Sequence, residues 1–420
     1  MELKHVVIVG GGFAGLAAAK ALATAPVRIT LIDKENHHLF QPLLYQVATS
    51  ALSSPDIAAP IRKVLRRQSN VTTLLSEVSA ISLETQTVEH TYGSMPYDYL
   101  ILAAGAVNDY FGHDHWEERA PGLKSLADAL EIRHRVLTAF EKAEAVDASE
   151  RASLLTFAVI GAGPTGVEMA GALKEIATRT LNDNFRNFDP SKARVVLIEG
   201  GPRVLSAFPE DLSANAQMQL EKLGVEVLLN TRVKDITEHG VDLENGDAIA
   251  AATVLWGAGV KGSPLAKTLG VELDRRGRVP VGKDFALPDH PNVFVVGDLA
   301  QCVDAKGEEV PGLAPAASQG GEHVAAQIWR SIDGKDRQDF TYLDKGIMAT
   351  IGRSRAVAVS GPFKFTGGLA WLAWLFIHVL FLIDFRNRIA VIFEWAWAYV
   401  TFQRSARVIL TREKKPVVAG

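Results

Sequence analysis

The chain has 420 residues, 48% of them hydrophobic and 22% charged. That length suits two or three domains with a large core, and the composition argues against disorder. A net charge of -4 at pH 7 gives no basic footprint, so nucleic acid is excluded as a partner. The single cysteine, Cys302, excludes an internal disulfide and a paired-cysteine redox centre, and no metal site is expected.

The first residues run into an apolar strand without the basic segment and cleavage site of a signal peptide. We therefore expect the protein on the cytoplasmic side of the membrane. Residues 5–9 predict a strand, 16–24 a helix, and 27–32 a second strand. The turn between strand and helix fits GxGxxG, which brings backbone N–H groups to a pyrophosphate, and an acid follows the second strand. The residues expected to bind this first dinucleotide are Gly10, Gly12, Phe13, Ala14, Gly15, Asp33 and Lys34.

The same pattern recurs with a strand over residues 156–160, a helix over 167–180 and a strand over 194–198. An acid at the end of this second strand accepts hydrogen bonds from a free ribose diol and disfavours a 2′-phosphate, which favours NADH over NADPH. Arg203 lies nearby and is the feature that favours NADPH. The residues expected to bind this second dinucleotide are Gly161, Gly163, Pro164, Thr165, Gly166, Glu199 and Gly259.

Other segments complete an α/β fold class with two Rossmann-type dinucleotide-binding domains and a C-terminal membrane-associating helical region. Residues 119–151 predict a long helix, 292–296 a buried strand, and 311–330 a helix. The predicted domains are a discontinuous first dinucleotide-binding domain (1–114 and 283–340), a second dinucleotide-binding domain (115–282) and a C-terminal region (341–420).

Four features together resemble the two-dinucleotide flavoprotein disulfide reductase superfamily: both glycine loops and the two segments that follow the strands at 99–102 and 292–296. The resemblance covers residues 1–340 and implies FAD on the first unit and NAD(P) on the second. A disulfide reductase itself is excluded by the lone cysteine. The segments that the resemblance assigns to FAD contain Ala104, Gly105, Gly297 and Asp298.

Four further segments are similar to the type II NADH:quinone oxidoreductases. They read Phe40-Gln41-Pro42-Leu43-Leu44-Tyr45-Gln46-Val47-Ala48, Gly163-Pro164-Thr165-Gly166-Val167-Glu168, Trp256-Gly257-Ala258-Gly259-Val260 and Met348-Ala349-Thr350-Ile351-Gly352. This resemblance implies FAD-dependent NADH oxidation and two-electron reduction of a membrane quinone, without proton pumping. We also expect a homodimer, although the sequence does not fix the number of subunits.

Two residues are candidates for catalysis. The resemblance implies that Glu168 lies beside the flavin and nicotinamide, although a first-turn carboxylate can serve the helix dipole alone. The family's quinone motif approximates Ala-Gln-x-Ala-x-Gln, and the matching stretch keeps its second glutamine as Gln319 but has Pro315 in place of the first. A polar residue near a helix start is the alternative explanation of Gln319.

The tail differs from the rest of the chain. Two apolar runs, 369–383 and 389–402, are each shorter than the roughly 20 residues that a spanning helix needs. Residues 402–410 predict an amphipathic helix, and Arg412, Lys414 and Lys415 suit anionic lipid. We expect the tail to lie in the membrane surface, with a buried dimerisation hairpin as the alternative.

Two other functions stay open from the residues alone. One is an NAD(P)H-dependent reductase of a soluble protein electron carrier, against which the apolar tail argues. The other is a slow NADH-sensing flavoprotein, which no sequence feature favours.

Overall fold

A computed structural model describes residues 3–383, 385–401 and 406–409. The chain divides into two compact units. The first unit consists of Met1–Leu39, Ala58–Asp109 and Gly259–Gly346, and the second of Phe40–Ile57, Tyr110–Ala258 and Ile347–Gly420. The predicted FAD-binding, NADH-binding and C-terminal domains have other boundaries, notably around residues 40–57 and 259–282, and stay a prediction.

A six-stranded sheet forms the centre of the first unit. Its central strand Lys4–Val9 pairs in parallel with a strand on each side, and residues 6–8 are fully buried. Such apolar runs are expected where helices cover both faces of a parallel sheet. The strand order is Ala286–Leu287, His290–Val295, Tyr99–Leu102, Lys4–Val9, Val27–Asp33 and Val71–Leu75.

The two long helices of the first unit, Phe13–Ala21 and Ala314–Ile332, cross in close contact. A Cβ on Gly321 would lie 2.1 Å from the Ala14 carbonyl oxygen, so only glycine permits this crossing. The helix Ile61–Val64 of this unit is shorter. The remaining strands of the unit are His37–Leu39, Ala58–Pro60, Val78–Ser82, Thr87–His90, Gly93–Pro96, Ala106–Asn108, Val260–Gly262, Val279–Pro280 and Ala300–Gln301.

A four-stranded parallel sheet forms the centre of the second unit. Its order is Val225–Leu228, Arg194–Ile198, Thr156–Ile160 and Thr253–Trp256. Beside it lies an antiparallel sheet of Val233–Thr237, Gly240–Leu243 and Ala248–Ala250. The helices before the tail are Leu44–Ala48, Ser54–Ile57, Leu126–Ala145, Ala148–Leu154, Pro164–Glu175 and Glu210–Leu223.

Both glycine-loop helices begin three residues earlier than the sequence predicts. They start at Phe13 and Pro164, directly after extended residues Gly12 and Gly163. The last residues of each GxGxxG are therefore already helical, and the third glycine lies inside the helix. The predicted helix starts at residues 16 and 167 were wrong because every glycine was assigned to the turn.

Two predicted helices are also shorter than expected. The helix predicted over 119–151 begins only at Leu126, where Ser125 and Asp128 form a capping box, and it breaks before Ala148–Leu154. The helix predicted over 167–180 ends at Glu175 and continues as a π-helical turn, Ile176–Thr180.

The tail begins with a β-hairpin, which we call the tail hairpin, formed by Ile347–Gly352 and Arg355–Ser360 and extended by Phe363–Thr366. The first tail helix, Gly367–Phe381, and the second tail helix, Phe385–Thr401, follow it. None of the described helices has the length and apolarity needed to cross a membrane.

The tail helices pack on the short segment Phe40–Ile57 of the same unit. Trp395 donates its indole N–H to Gln46 Oε1 at 2.7 Å, and Asn387 donates to the Pro55 carbonyl at 3.0 Å. His378 stacks on Trp374 with ring centroids 4.1 Å apart. This packing fixes which helix faces remain exposed.

The amphipathic helix predicted over 402–410 is only partly described. Residues 406–409 have no helical structure, so the prediction is wrong there. Residues 402–405 and 410, like Arg412, Lys414 and Lys415, lie outside the described residues.

Candidate active site

The first glycine loop has the geometry of a pyrophosphate cradle. A Cβ on Gly10 would lie 2.3 Å from the Ala103 carbonyl oxygen, and one on Gly15 would lie 1.9 Å from the Gly10 carbonyl oxygen. By contrast, no atom lies within 4 Å of the Cβ position of Gly12. The loop is therefore pressed against its neighbours at both ends and open at Gly12, beside the helix N-terminus that begins with Phe13 and Ala14.

Asp33 is held in place by backbone groups. Its carboxylate accepts N–H bonds from Gly11 at 2.5 Å and Glu35 at 2.7 Å. Burial raises the pKa of Asp33, and these two N–H groups oppose the shift. The neighbouring Lys34 is exposed. An acid fixed at the end of the second strand is where a dinucleotide ribose binds in a Rossmann unit.

The other predicted FAD residues flank the same sheet. Ala104 and Gly105 follow the strand Tyr99–Leu102, and Gly105 has a φ of +65°. Gly297 and Asp298 begin a short 3-10 turn after the strand His290–Val295. All four leave the carboxyl ends of neighbouring parallel strands, the edge at which doubly wound sheets bind ligands.

The second glycine loop repeats the geometry of the first. A Cβ on Gly161 would lie 2.4 Å from Ala258 Cα, and one on Gly166 would lie 1.8 Å from the Gly161 carbonyl oxygen. The Cβ position of Gly163 is open. The helix then starts at Pro164 and Thr165, and proline suits a first helical position. The last predicted contact of this set, Gly259, lies in the first unit and accepts the Asp109 N–H at 3.1 Å.

Glu199 and Arg203 have different surroundings. Glu199 accepts the N–H groups of Ala162 and Gly201, each at 2.7 Å. Arg203 donates to the carbonyls of Phe208 and Ser206 at 2.9 and 2.8 Å. The carboxylate is thus fixed at the glycine loop, whereas these guanidinium bonds stay within the arginine's own loop. This arrangement strengthens the predicted preference for NADH.

Glu168 lies in the second turn of the helix Pro164–Glu175. Burial raises the pKa of its carboxyl to about 8, while the Thr350 backbone N–H, which bonds to it, acts in the opposite direction. Thr350 belongs to the tail hairpin, which crosses this helix at Gly171, where a Cβ would lie 1.8 Å from the Ile351 carbonyl oxygen. Glu168 is therefore a carboxyl able to hold a proton at neutral pH.

Gln319 makes a reciprocal pair of bonds with the backbone of Leu343. Its Nε2 donates to the Leu343 carbonyl at 3.1 Å, and its Oε1 accepts the Leu343 N–H at 3.0 Å. An amide group has a further donor hydrogen and a further lone pair, so these bonds still permit a ligand contact. Pro315 lies in the first turn of the helix Ala314–Ile332, where its missing N–H costs no helical hydrogen bond.

Three residues of this region were not predicted individually. Gly171 and Thr350 bring the tail hairpin to Glu168, and Gly321 brings the helix Ala314–Ile332 to the first glycine loop. A glycine inside an otherwise regular helix was the available signal for Gly171 and Gly321, because glycine costs about 1 kcal/mol in a helix relative to alanine. No local pattern indicated the Thr350 contact.

Comparison with known proteins identifies the family. Residues 4–321 match the pyridine nucleotide-disulphide oxidoreductase family. The chain is 47% identical to the type II NADH:quinone oxidoreductase Ndh of Mycobacterium tuberculosis, over 97% of this chain and 91% of the relative. It is 48% identical to NdhA of the same organism, over 97% and 90%. The chain belongs to the type II NADH:quinone oxidoreductases.

A solved structure of a type II enzyme has the same fold. NDH2 from Plasmodium falciparum, solved in complex with NADH, superposes with a TM-score of 0.89 over 98% of this chain and 100% of that chain, at 18% identity. The family assignment made from the sequence motifs is confirmed.

We predict that Glu199→Gln raises the NADPH:NADH ratio of kcat/KM by about tenfold, or roughly 1.4 kcal/mol. The substitution removes the negative charge that disfavours a 2′-phosphate. Steady-state oxidation of both nucleotides measures the ratio. Glu226→Gln, which neutralises an acid paired with Arg194 in the neighbouring strand, is the control. An unchanged ratio in Glu199→Gln would contradict the assignment of Glu199.

Proposed function

We propose that this chain oxidises NADH and reduces a quinone by two electrons through bound FAD, without pumping protons. Family membership is the observation that carries the proposal, because relatives nearly half identical along almost the whole chain have this activity in their names. FAD supplies the hydride and electron chemistry when bound.

The residues of the first unit suit FAD. Gly12 leaves open space at a helix N-terminus, and Gly10 and Gly15 hold the loop backbone tightly against its surroundings. Asp33 is oriented by two backbone N–H groups toward the expected ribose position. Gly297 and Asp298 bring another backbone turn to the same sheet edge. We assign these residues to binding and orienting FAD.

The second unit binds NADH through the loop that contains Gly161, Gly163 and Gly166, with Glu199 at the ribose. The protein's contribution to hydride transfer is orientation, because holding two reactants in one geometry removes most of the entropic cost of their encounter. Every observation that fits reduction of a soluble protein carrier fits reduction of a quinone equally well.

Glu168 is assigned the proton step. Quinone reduction to quinol requires two protons, and a general acid works best when its pKa lies near the working pH. Burial gives Glu168 this property by raising its pKa to about 8. Gln319, with hydrogen-bonding capacity left on its amide, is assigned to the quinone head. Both assignments extend the family function to residues of this chain.

We expect Glu168→Gln to lower quinone-dependent NADH oxidation by about tenfold to a hundredfold, because glutamine cannot transfer a proton. In the wild type, the protonated carboxyl predominates below pH 8 and is lost as the pH rises through 8. The rate should therefore fall above about pH 8, and Glu168→Gln should lack this limb. A pH series of kcat for both proteins, with FAD content matched, measures the effect. Retention of the wild-type rate and limb by Glu168→Gln would exclude this role.

The tail provides a surface for membrane contact. Phe376 of the first tail helix exposes 69% of its area, and Phe393 of the second exposes 71%. Groups of exposed large apolar side chains mark interaction sites, and tryptophan and tyrosine suit the headgroup region. Other exposed large apolar residues of the two helices are Leu369, Leu372, Leu380, Phe381, Ile389, Ile392, Trp397, Tyr399 and Val400.

We propose that this surface lies in the membrane interface and gives access to membrane quinone. The two tail helices expose large apolar side chains and are each shorter than the roughly 20 residues that a spanning helix needs. The predicted homodimer remains the alternative cover for the same surface, and the two arrangements are compatible. Attachment to the cytoplasmic face is part of the proposal and derives from the sequence alone.

The double variant Phe376→Ser with Phe393→Ser should weaken binding to phosphatidylglycerol–phosphatidylcholine vesicles by at least about tenfold, because each buried phenylalanine contributes roughly 1.5–3 kcal/mol. Flotation with vesicles measures binding, and turnover with a water-soluble short-chain quinone should be unchanged. Leu75→Ser with Tyr92→Ser, which alters exposed residues of the first unit, is the control. If the tail variant instead keeps vesicle binding and converts a dimer to a monomer, the surface is a subunit interface.

A further inference from the structure

The helix that carries Glu168 has a second carboxyl on the same face. Glu168, Gly171 and Glu175 are spaced three and four residues apart, which places them in one row along a helix. The strand Ile347–Gly352 of the tail hairpin lies across this row. At its centre, the Ile351 carbonyl oxygen occupies the space that a side chain on Gly171 would need.

Each carboxyl of the row accepts a backbone N–H from the hairpin. Glu168 accepts the Thr350 N–H. Glu175 Oε1 accepts the Arg353 N–H at 2.5 Å and lies 2.8 Å from the Cβ position of Gly352. The hairpin strand is thus fixed to the helix at two points on either side of its closest approach.

The segment between these points has little freedom. Thr350 Oγ1 donates to the carbonyls of Gly352 and Arg355 at 3.4 and 3.3 Å, and Ser354 closes the turn with a φ of +56°. A displacement at Arg353 is therefore passed along a short, internally bonded turn to Thr350. The bond at Glu175 and the bond at Glu168 therefore lie three residues apart in the same part of the hairpin.

The side chain of Arg353 adds a contact from the tail. Its guanidinium lies 3.7 Å from the centroid of the Tyr399 ring and donates to the Tyr399 carbonyl. A cation over an aromatic face is attracted by the negative charge density of the ring. The last turn of the second tail helix therefore contacts Arg353, the same residue of the hairpin turn that Glu175 contacts.

We propose that Glu175 is a positioning residue for Glu168: it holds the turn of the tail hairpin so that the Thr350 N–H stays on the Glu168 carboxyl. Arg353 extends this arrangement to the second tail helix. The proposal rests on the proposed proton-transferring role of Glu168. It differs from a purely structural role because the effect of Glu175 must pass through Glu168.

A double-mutant cycle on the FAD-loaded, full-length protein tests this inference. Glu175→Ala should lower quinone-dependent kcat by about tenfold, equivalent to 1.4 kcal/mol. Glu175→Gln should keep the wild-type rate within about threefold, since its amide oxygen still accepts the Arg353 N–H. In the Glu168→Gln background, Glu175→Ala should lower kcat by less than about twofold, because coupled sites are not additive. Glu175→Asp, which only shortens the side chain, replaces Glu175→Ala if that variant does not fold.

The outcomes separate the two claims. If Glu168→Gln alone has the wild-type rate, the proton role of Glu168 falls and the positioning role falls with it. If Glu168→Gln is slow and Glu175→Ala lowers kcat by the same factor in both backgrounds, Glu168 keeps its role and Glu175 only stabilises the fold. Wild-type kcat in Glu175→Ala would also overturn the inference.

Discussion

The structure depends on backbone segments that approach one another too closely for any Cβ atom. This happens where Gly15 meets the Gly10 carbonyl, where Gly166 meets the Gly161 carbonyl, and where Gly171 meets the tail hairpin. The first two contacts set each glycine-loop helix against its strand, which directs unpaired N–H groups at a phosphate. The third contact brings the strand Ile347–Gly352 of the tail hairpin onto the helix Pro164–Glu175. Glycine loses more conformational entropy on folding than other residues do. At each of these points, the packing that the close approach permits offsets that loss.

Electrostatics separates the carboxyl groups of the chain by task. Asp33 and Glu199 each accept two backbone N–H bonds, which fixes the orientation of their carboxylates. Glu168 is half-buried and has one such bond, and desolvation raises its pKa to about 8. The number of backbone donors distinguishes the three, since all of them are ordinary acids in sequence.

The elements with strong local signals were predictable. The strand Thr156–Ile160 and the strand Arg194–Ile198 have the expected limits, because short apolar runs bounded by glycine leave little choice. Helix starts in the glycine loops were misplaced by three residues, since composition does not show where a glycine turns helical. The break at residues 146–147 and the π-turn Ile176–Thr180 depend on packing rather than on periodicity.

The candidate site likewise contains residues that the sequence identifies and contacts that it does not. Both glycine loops and their acids follow a known spacing and could be identified from the sequence. The bond between Thr350 and Glu168 joins positions far apart in the chain, and so does the contact between Arg353 and Glu175. Such contacts depend on how a hairpin packs on a helix, which no local pattern encodes. The bonds between Gln319 and Leu343 likewise emerge only in three dimensions.

The central claim, transfer of electrons from NADH to a quinone through FAD, is tested most directly by anaerobic half-reactions. The purified, FAD-loaded protein is mixed with NADH, and the flavin absorbance is followed before and after a membrane quinone is added in lipid vesicles. The account predicts that NADH bleaches the flavin absorbance and that the quinone restores it at a rate no slower than steady-state turnover. Bleaching that no quinone reverses, with recovery only on addition of a protein electron carrier, would contradict it.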